Sequence, residues 1–383
     1  MHLKKTALIF TATILLFSLL LMIKYRATVL PLLQKKCPLF ALHENSSPKS
    51  SPVYKSTAIE KILIDALTEL ETNRNEISVI HLLEDSTINI NAAVPRGRPI
   101  EWIIWYLTST ASKAGYPTKD CFCEENPVQC TITLTSTRKA QPTVKIILTQ
   151  SRRFYSSAAK LAIVITDFIY HTDATANGFF SFPEPLTLSM IGSRKMAVSS
   201  AEIAHENHKE IVLMLPMEPL SRPYMQLRDE TIMLHYPHDK IKELINHSAE
   251  RIPFYTGFSN LCGTRILDDS QIMKVIFSEI ADKKGYFLID QPQRRSMITA
   301  IARESGVPFR FVDITLDSTG SADASVADSL KHAALIAQKK GSAVFCGRPT
   351  SQLLEAATKL LPYFQHNGIE LVPASELVGQ ARP

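Results

Sequence analysis

The chain has 383 residues, of which 45% are hydrophobic and 21% charged, a composition typical of globular proteins that argues against a disordered chain. Six of its 42 Lys and Arg residues, and none of its 37 Asp and Glu residues, lie within positions 1–40, which leaves 36 basic against 37 acidic side chains in the rest. The body of the protein is therefore nearly neutral, and nothing in its charge favours a nucleic-acid partner.

The amino-terminal segment predicts a membrane helix. Eighteen residues without a charge, TALIFTATILLFSLLLMI, lie between Lys5 and Lys24, which is close to the length that crosses a bilayer core. No small-residue cleavage site follows them, so we expect residues 1–24 to form an uncleaved membrane anchor rather than a cleaved signal peptide. More basic residues follow the span than precede it, which by the positive-inside rule favours a cytoplasmic body.

A linker and a small domain are predicted next. Residues 25–56 include HENSSPKSSPVYKS, a polar stretch rich in Ser and Pro that is typical of a linker. Residues 57–150 predict an α+β domain with helices over 57–71 and 100–116. Its strand-like runs are ISVIHLL, INI, TITLTST and TVKIILT, and the last two are spaced as a hairpin.

The sequence pattern of residues 159–378 predicts an α/β architecture, unlike that of the preceding α+β domain. Short apolar runs such as LAIVI, EIVLM, YFLI, FRFV and SAVFC alternate with helical patterns, which indicates a parallel sheet covered by helices, either doubly wound or closed into a barrel. No Gly-rich loop follows the first run, and this disfavours a dinucleotide-binding fold.

Polar side chains follow several of these predicted strands. Asp167 follows the first, Glu218 the third, Asn260 the fourth, Asp290 the fifth and Arg348 the seventh. Because functional groups in such folds collect at the carboxyl ends of the strands, we expect the two aspartates to face one cleft with the other three side chains nearby. The alternative is structural, in which the acids cap helices and pair with the arginine.

Eight ordered pieces of this region, between residues 160 and 378, resemble the divergent polysaccharide deacetylases, bacterial envelope proteins related to NodB-type carbohydrate esterases. The pieces are LAIVITDF, FPEPLTLSM, EIVLMLPMEPL, GFSNLCGTR, GYFLIDQ, GVPFRFVDITLD, GSAVFCGRPT and IELVPASELV. The resemblance implies a barrel of about seven βα units, metal-assisted hydrolysis of an N-acetyl group, and a body on the periplasmic or extracytoplasmic side of the membrane. We follow the resemblance, rather than the basic flank, for the side of the membrane.

The family's catalytic pattern is incomplete in this chain. The family has two consecutive Asp residues after the first strand, the first resembling a base and the second a metal ligand, where this chain has Thr166 and Asp167. The positions that resemble the family's His residues hold Met214, Leu261 and Arg348. Because Leu offers no lone pair, Met is a soft ligand and Arg repels a cation, we expect Asp167 to be a vestigial ligand in an ion pair with Arg348. No cofactor is expected, unless the protein is active with zinc or another divalent metal.

Other residues could act as metal ligands or as a nucleophile, but a structural role is commoner for each of them. His171, His205 and His208 could stand in as metal ligands, but surface and capping histidines are commoner. Cys262 could act as a nucleophile beside Asn260, but no motif places a His near it, and a buried Cys is usually inert.

Three cysteines cluster in DCFCEENPVQC, and they lack the second pair of a zinc knuckle. If the body lies outside the cytoplasm, we expect a disulfide from Cys130 to either Cys121 or Cys123.

The sequence therefore predicts a membrane-anchored envelope protein whose barrel has lost most of its metal site. The first hypothesis is a pseudoenzyme that binds a cell-wall glycan or an envelope protein through the former cleft, where Phe168, Tyr170 and Tyr224 could stack on sugars. The second is an active metal-dependent hydrolase with a site rearranged around Asp167 and Asp290. A third is an assembly scaffold.

Overall fold

The structure, a computed structural model, describes residues 57–379 apart from 83–85, 126–127, 140, 169–173, 194–195, 221–229 and 317–324. Residues 57–383 make up one compact unit. The predicted anchor and linker, together with His171, Tyr170 and Tyr224, lie outside the described residues. In the part of the chain that is described, no helix has both the length and the apolar character needed to cross a membrane.

The amino-terminal part of this unit is a five-stranded sheet with two helices. The strands follow the order β1-β2-β5-β4-β3, in which β2 and β5 are parallel and the other neighbours antiparallel. The helices are α1 (Ala58–Glu69) and α2 (Ile100–Lys113), and the strands are β1 (Ile77–Leu82), β2 (Thr87–Arg96), β3 (Thr118–Glu125), β4 (Val128–Leu134) and β5 (Thr143–Phe154). The predicted β4–β5 pairing is present, and β5 extends past the expected domain limit at residue 150.

Helix α1 begins where its sequence provides a capping box. The Thr57 hydroxyl accepts a hydrogen bond from the Glu60 amide at 3.3 Å, and the Glu60 carboxylate accepts one from the Thr57 amide at 3.4 Å. Leu63 and Leu67 on the predicted apolar face are fully buried. Ile62, expected on that face, is instead 37% exposed.

Cys123 and Cys130 form a disulfide between β3 and β4. The two residues face each other in the register of this antiparallel pair, with a Cα–Cα distance of 4.1 Å. Cys121, the other candidate partner of Cys130, is two residues away along β3 and is an exposed thiol.

The remainder of the unit is an α/β fold built on a parallel sheet. Its strands are β6 (Ala159–Ile165), β7 (Thr187–Met190), β8 (Glu210–Met217), β9 (Tyr255–Cys262), β10 (Tyr286–Ile289), β11 (Phe309–Phe311), β12 (Ile314–Leu316), β13 (Ser342–Gly347) and β14 (Ile369–Leu371). Its helices are α3 (Ala174–Phe180), α4 (Ala197–Glu206), α5 (His238–Arg251), α6 (Ser270–Asp282), α7 (Arg295–Ser305), α8 (Val326–Lys340) and α9 (Ser351–His366).

The sheet curls until one short segment joins its two edges. The strand order is β11-β10-β9-β8-β7-β6-β13-β12, with β14 paired to β6, so β11 and β12 lie at opposite ends. Only Val312 and Asp313 separate these two strands in sequence. The Val312 amide donates to the Ile289 carbonyl at 2.9 Å, and the Asp313 amide donates to the Val344 carbonyl at 3.0 Å. The run 309–316 thus bridges β10 and β13 and closes the curl.

Strand β6 shows why the strand sequences are almost continuously apolar. Leu161, Ile163 and Ile165 belong to the core that the helices cover. Ala162 and Val164 belong to a second cluster with residues such as Leu288, Val344 and Cys346 from other strands. Because successive side chains point to opposite faces of a strand, both faces of β6 are buried.

Candidate functional site

A cavity of about 300 Å³ lies where the strands β6, β8, β9, β10, β12 and β13 end. It is lined by side chains from the strand ends and the residues just after them, as expected for this class of fold. The lining comprises Val164, Thr166, Met214, Ser259, Asn260, Leu261, Cys262, Leu288, Asp290, Gln291, Val312, Thr315, Leu316, Cys346 and Arg348. Three residues predicted for the site, Asn260, Asp290 and Arg348, therefore meet in one place.

Asp290 is held in the cavity by neighbours on two other strands. The Asp290 amide donates to the Asn260 Oδ1 at 2.8 Å, and Asn260 Nδ2 donates to the carbonyls of Cys262 at 2.6 Å and of Asp290 at 3.2 Å. The Thr315 hydroxyl donates to the Asp290 carboxylate. Asn260 is only 5% exposed, so its amide fixes backbone positions around the acid.

Thr315 is a member of the site that the sequence did not indicate. It stands in β12, a three-residue strand that the pattern of apolar runs did not separate from FRFV. Met214 is the last residue of the predicted run EIVLM, and Asn260 was expected just after its strand, but both lie inside the observed strands β8 and β9. Strand β8 continues past that run to Met217, and β9 continues past Asn260 to Cys262.

Arg348 brings an unpaired positive charge to the cavity. It follows β13, is exposed, and makes no side-chain hydrogen bond or ion pair with any described residue. The ion pair expected between Arg348 and Asp167 is not formed, and that expectation was wrong. The guanidinium is therefore available to a ligand in the cavity.

Asp167 occupies a constrained turn outside the cavity lining. Its φ is +54°, in the left-handed region, and its Oδ1 is buried without a hydrogen-bond partner among the described residues. The backbone on either side is fixed, since the Thr166 amide donates a hydrogen bond to the Gly347 carbonyl at 2.8 Å and the Phe168 amide donates one to the Ser189 carbonyl at 3.0 Å. The carboxylate makes no ion pair with Arg348, and its buried oxygen keeps no partner among the described residues.

Two further residues at strand ends share this backbone conformation. Cys262, the last residue of β9, has a φ of +58°, and Gln291 after β10 has a φ of +51°. Side chains other than Gly enter this region at a cost, and such residues are concentrated at functional sites. Both residues line the cavity, so its rim is built from backbone turns as well as side chains.

Glu218 takes a structural role away from the cavity lining. Its carboxylate pairs with Arg265 at 2.7 Å and accepts a hydrogen bond from the Leu234 amide at 2.7 Å. The residue is 9% exposed. Its bonds hold the segments after β8 and β9 together, and the substrate-binding role expected for it stays a prediction.

The two thiols in the cavity differ in their surroundings. Burial raises the pKa of the Cys346 thiol well above its usual value, and the nearby Asp290 charge adds to that shift. Cys346 is therefore a neutral packing group. Cys262 is exposed, and none of the described lining residues is a His that could serve it as a base.

The residues present do not fit the divalent metal that the resemblance implies. Met214, Leu261 and Arg348 all line the cavity in the positions that resemble the family's His residues, and together they offer one soft donor and a fixed positive charge. In the described ranges no group of three or more His, Cys, Asp and Glu side chains could hold a metal ion. The ring of His205, a candidate ligand, instead stacks on Phe254 at 4.0 Å.

Comparisons with known proteins agree with the fold and the motifs. An uncharacterized protein of Haemophilus influenzae is 27% identical over 226 residues, which cover 57% of this chain and 79% of that protein. The uncharacterized protein YibQ of Escherichia coli K12 is 26% identical over 226 residues, covering 58% of this chain and 68% of YibQ. The crystal structure of an uncharacterized protein from Agrobacterium tumefaciens C58 covers 60% of this chain and 93% of its own, with 23% identity and a TM-score of 0.53. That likeness supports the fold.

The family match covers the curled sheet from the middle of β6 onward. The sequence model described as divergent polysaccharide deacetylase matches residues 163–378, which include every strand end that contributes to the cavity. The chain belongs to the divergent polysaccharide deacetylase family.

Proposed function

We propose that the protein is a pseudoenzyme of the cell envelope that binds a carboxylate-bearing sugar of the cell wall in this cavity. The observation that carries the proposal is the unpaired guanidinium of Arg348. It stands where the family pattern has a His ligand. A cation in a concave site attracts an anionic group, and a guanidinium can hold a carboxylate through two parallel hydrogen bonds.

The opposite polar group suits the rest of a sugar. Asp290 is oriented by Asn260 and Thr315, so its carboxylate is already fixed in position when a sugar hydroxyl donates a hydrogen bond to it. Apolar side chains such as Val164, Leu288 and Leu316 complete the lining. A few placed polar groups in an apolar pocket are typical of small-molecule sites.

The proposed place in the envelope rests on two features. The predicted anchor at residues 1–24 would attach the body to the membrane, and the Cys123–Cys130 disulfide suits an oxidising compartment. Both support a body outside the cytoplasm, where cell-wall glycan is available. The rival hydrolase would need Asp167 and Asp290 to act on one substrate, and only Asp290 lines the cavity.

A matched pair of sugars tests the proposal. N-acetylmuramic acid is N-acetylglucosamine with an added lactyl carboxylate, so calorimetric titration of the full-length, chelator-treated protein isolates the effect of that one group. We expect the acidic sugar to bind at least about tenfold more tightly, about 1.4 kcal/mol. Arg348→Gln should abolish this preference, while Lys331→Gln, an exposed lysine on α8 outside the cavity lining, should leave it unchanged. Equal binding of the two sugars by the unmodified protein would refute the role of Arg348.

A further inference from the structure

A second concave surface lies at the other end of β13. This groove, of about 540 Å³, is lined by Arg295, Thr299, Arg303, Phe309, Arg310, Phe311, Asp313, Lys340, Leu377 and Gly379. Arg310 reaches the carbonyl of Ser342, the first residue of β13, whereas Arg348 of the cavity follows the last. The groove therefore reaches the start of β13, Phe311 and Asp313 in its lining flank Val312 of the cavity lining, and the described residues of the two linings do not overlap.

The groove carries a marked excess of positive charge. Among the described residues, four cationic side chains line it, against one carboxylate, that of Asp313. That carboxylate is already shared by Arg310 at 3.1 Å and Lys340 at 3.0 Å. The Nε of Arg310 is buried with no hydrogen-bond partner among the described residues. The internal acid therefore leaves most of the cationic charge uncompensated.

Helix α7 supplies two of these cations at a regular spacing. Arg295, Thr299 and Arg303 are four residues apart along α7 and line the groove together. At a rise of about 1.5 Å per residue, the two arginines stand about 12 Å apart along the helix. A single small anion cannot contact both, but an extended anionic chain can.

The groove is preorganised for such a chain. The Arg295 guanidinium lies over the Phe311 ring at 4.8 Å, a stacking that fixes its plane and leaves its edge free for bidentate contacts. Phe309 packs edge-on against Phe311 at 5.2 Å, and Leu377 adds an apolar wall. Apolar walls between two guanidinium groups match a chain of sugar rings that carry acidic groups.

We propose that this groove binds a segment of an acidic polysaccharide, with Arg295 and Arg303 contacting acidic groups on separate sugars. The choice of a glycan over an acidic peptide rests on the proposed function of the cavity. The groove would hold the polymer while the cavity binds a single sugar.

The test uses tetragalacturonic acid as the probe with the full-length protein. We expect the Arg295→Gln/Arg303→Gln double variant to bind it at least tenfold more weakly. A matched double variant, Lys61→Gln/Lys331→Gln, removes the same charge at two exposed positions outside the groove and should change the affinity less than twofold. Neutral maltotetraose should not compete. The Arg303→Gln single variant, which changes an exposed side chain on α7, should give an intermediate loss with an unchanged melting temperature.

Three results would overturn the proposal. These are no binding of the probe, an equal loss in both double variants, or tetraglutamate binding as tightly as tetragalacturonic acid. Titration of each double variant with N-acetylmuramic acid separates this failure from failure of the cavity proposal. Loss of the acidic tetrasaccharide with retention of the single sugar would affect only the groove.

Discussion

The residue types at the strand ends determine which ligands the cavity offers to a metal. A His provides a lone pair for a metal, whereas Arg348 in a position that resembles a family His provides only donors and a fixed charge. Asp290, which lines the same cavity, is anchored by three hydrogen bonds through its backbone and carboxylate. The residue types at these strand ends are thus poorer ligands for a cation than the family's His residues.

Asp167 allows a direct test of backbone conformation at this site. Its φ of +54° favours Gly over Ala, because a Cβ in the left-handed region costs about 1 kcal/mol or more. We expect Asp167→Gly to have a free energy of unfolding about 1 kcal/mol higher than Asp167→Ala, measured by urea denaturation. Both variants remove the carboxylate, so their difference isolates the backbone.

Asp167→Asn serves as the control for that comparison. It keeps the size of the side chain, and Asn tolerates the left-handed region, so its stability should lie between those of the other two variants. If the Ala variant were as stable as the Gly variant, the left-handed turn would be absent in solution.

At the scale of elements, the run 309–316 determines how the sheet closes. The sequence pattern predicted one strand from FRFV, but the chain forms β11 on one edge and β12 on the other. Both strands have three residues, and a run this short carries no readable alternation. The longer strands β6 and β8 were predicted because both their faces are buried and their sequences are apolar throughout.

Asp313 stabilises this closure through its charge. Burial alone would raise the pKa of Asp313, but the Val344 amide, Lys340 and Arg310 outweigh that effect and lower it. Since the pKa is lower in the folded state than in the unfolded state, the stabilisation is present above the unfolded value of about 3.9 and is lost as the pH falls through the folded value. We expect Asp313→Asn to lower the free energy of unfolding at pH 7 by about 1–3 kcal/mol, with a difference from the unmodified protein that shrinks below about pH 4.

Asp65→Asn provides the comparison for this pH series. Asp65 is an exposed acid on α1, so its substitution should leave the free energy of unfolding unchanged at about pH 7 and at about pH 3. A deficit in Asp313→Asn that stayed constant from pH 7 to pH 3 would show that the carboxylate charge does not contribute.

Strand β3 shows another limit of sequence patterns. Its sequence TKDCFCEE has charged and Cys residues, and its first seven side chains are all exposed. An edge strand without a buried face lacks the alternation by which strands are recognised. The sequence accordingly showed a cysteine cluster and left the partner of Cys130 open, whereas the β3–β4 register selects Cys123.

At the scale of the whole molecule, the small sheet and the curled sheet are in contact. Arg96 at the end of β2 pairs with Glu184 at 3.0 Å, close to β7, and its Nε donates to the Ser151 carbonyl at 3.0 Å. Gly97 and Gly368 approach so closely that a Cβ on Gly368 would lie 3.0 Å from the Gly97 carbonyl oxygen. The division into two domains nonetheless follows two separate hydrophobic cores and stays a prediction.

The sequence predicted which strand ends converge better than it predicted side-chain contacts. Asn260, Asp290 and Arg348 meet because parallel strands present their carboxyl ends at one side. Asp167 and Glu218 follow other strands of the same sheet, yet Asp167 stands in a left-handed turn without joining the cavity lining, and Arg265 pairs with Glu218. Such local directions depend on tertiary neighbours, which no spacing in the sequence reports.

We propose that the cavity binds its ligand without a metal. The zinc content of the purified protein is the sharpest test of this proposal. The full-length protein and its Asp167→Ala variant are incubated with zinc, washed and measured by elemental analysis. Met214, Leu261 and Arg348 form a poor donor set, so we expect far less than one zinc per chain in both proteins. Near-stoichiometric zinc that disappears in the variant would contradict the account and would establish a rebuilt metal site at Asp167.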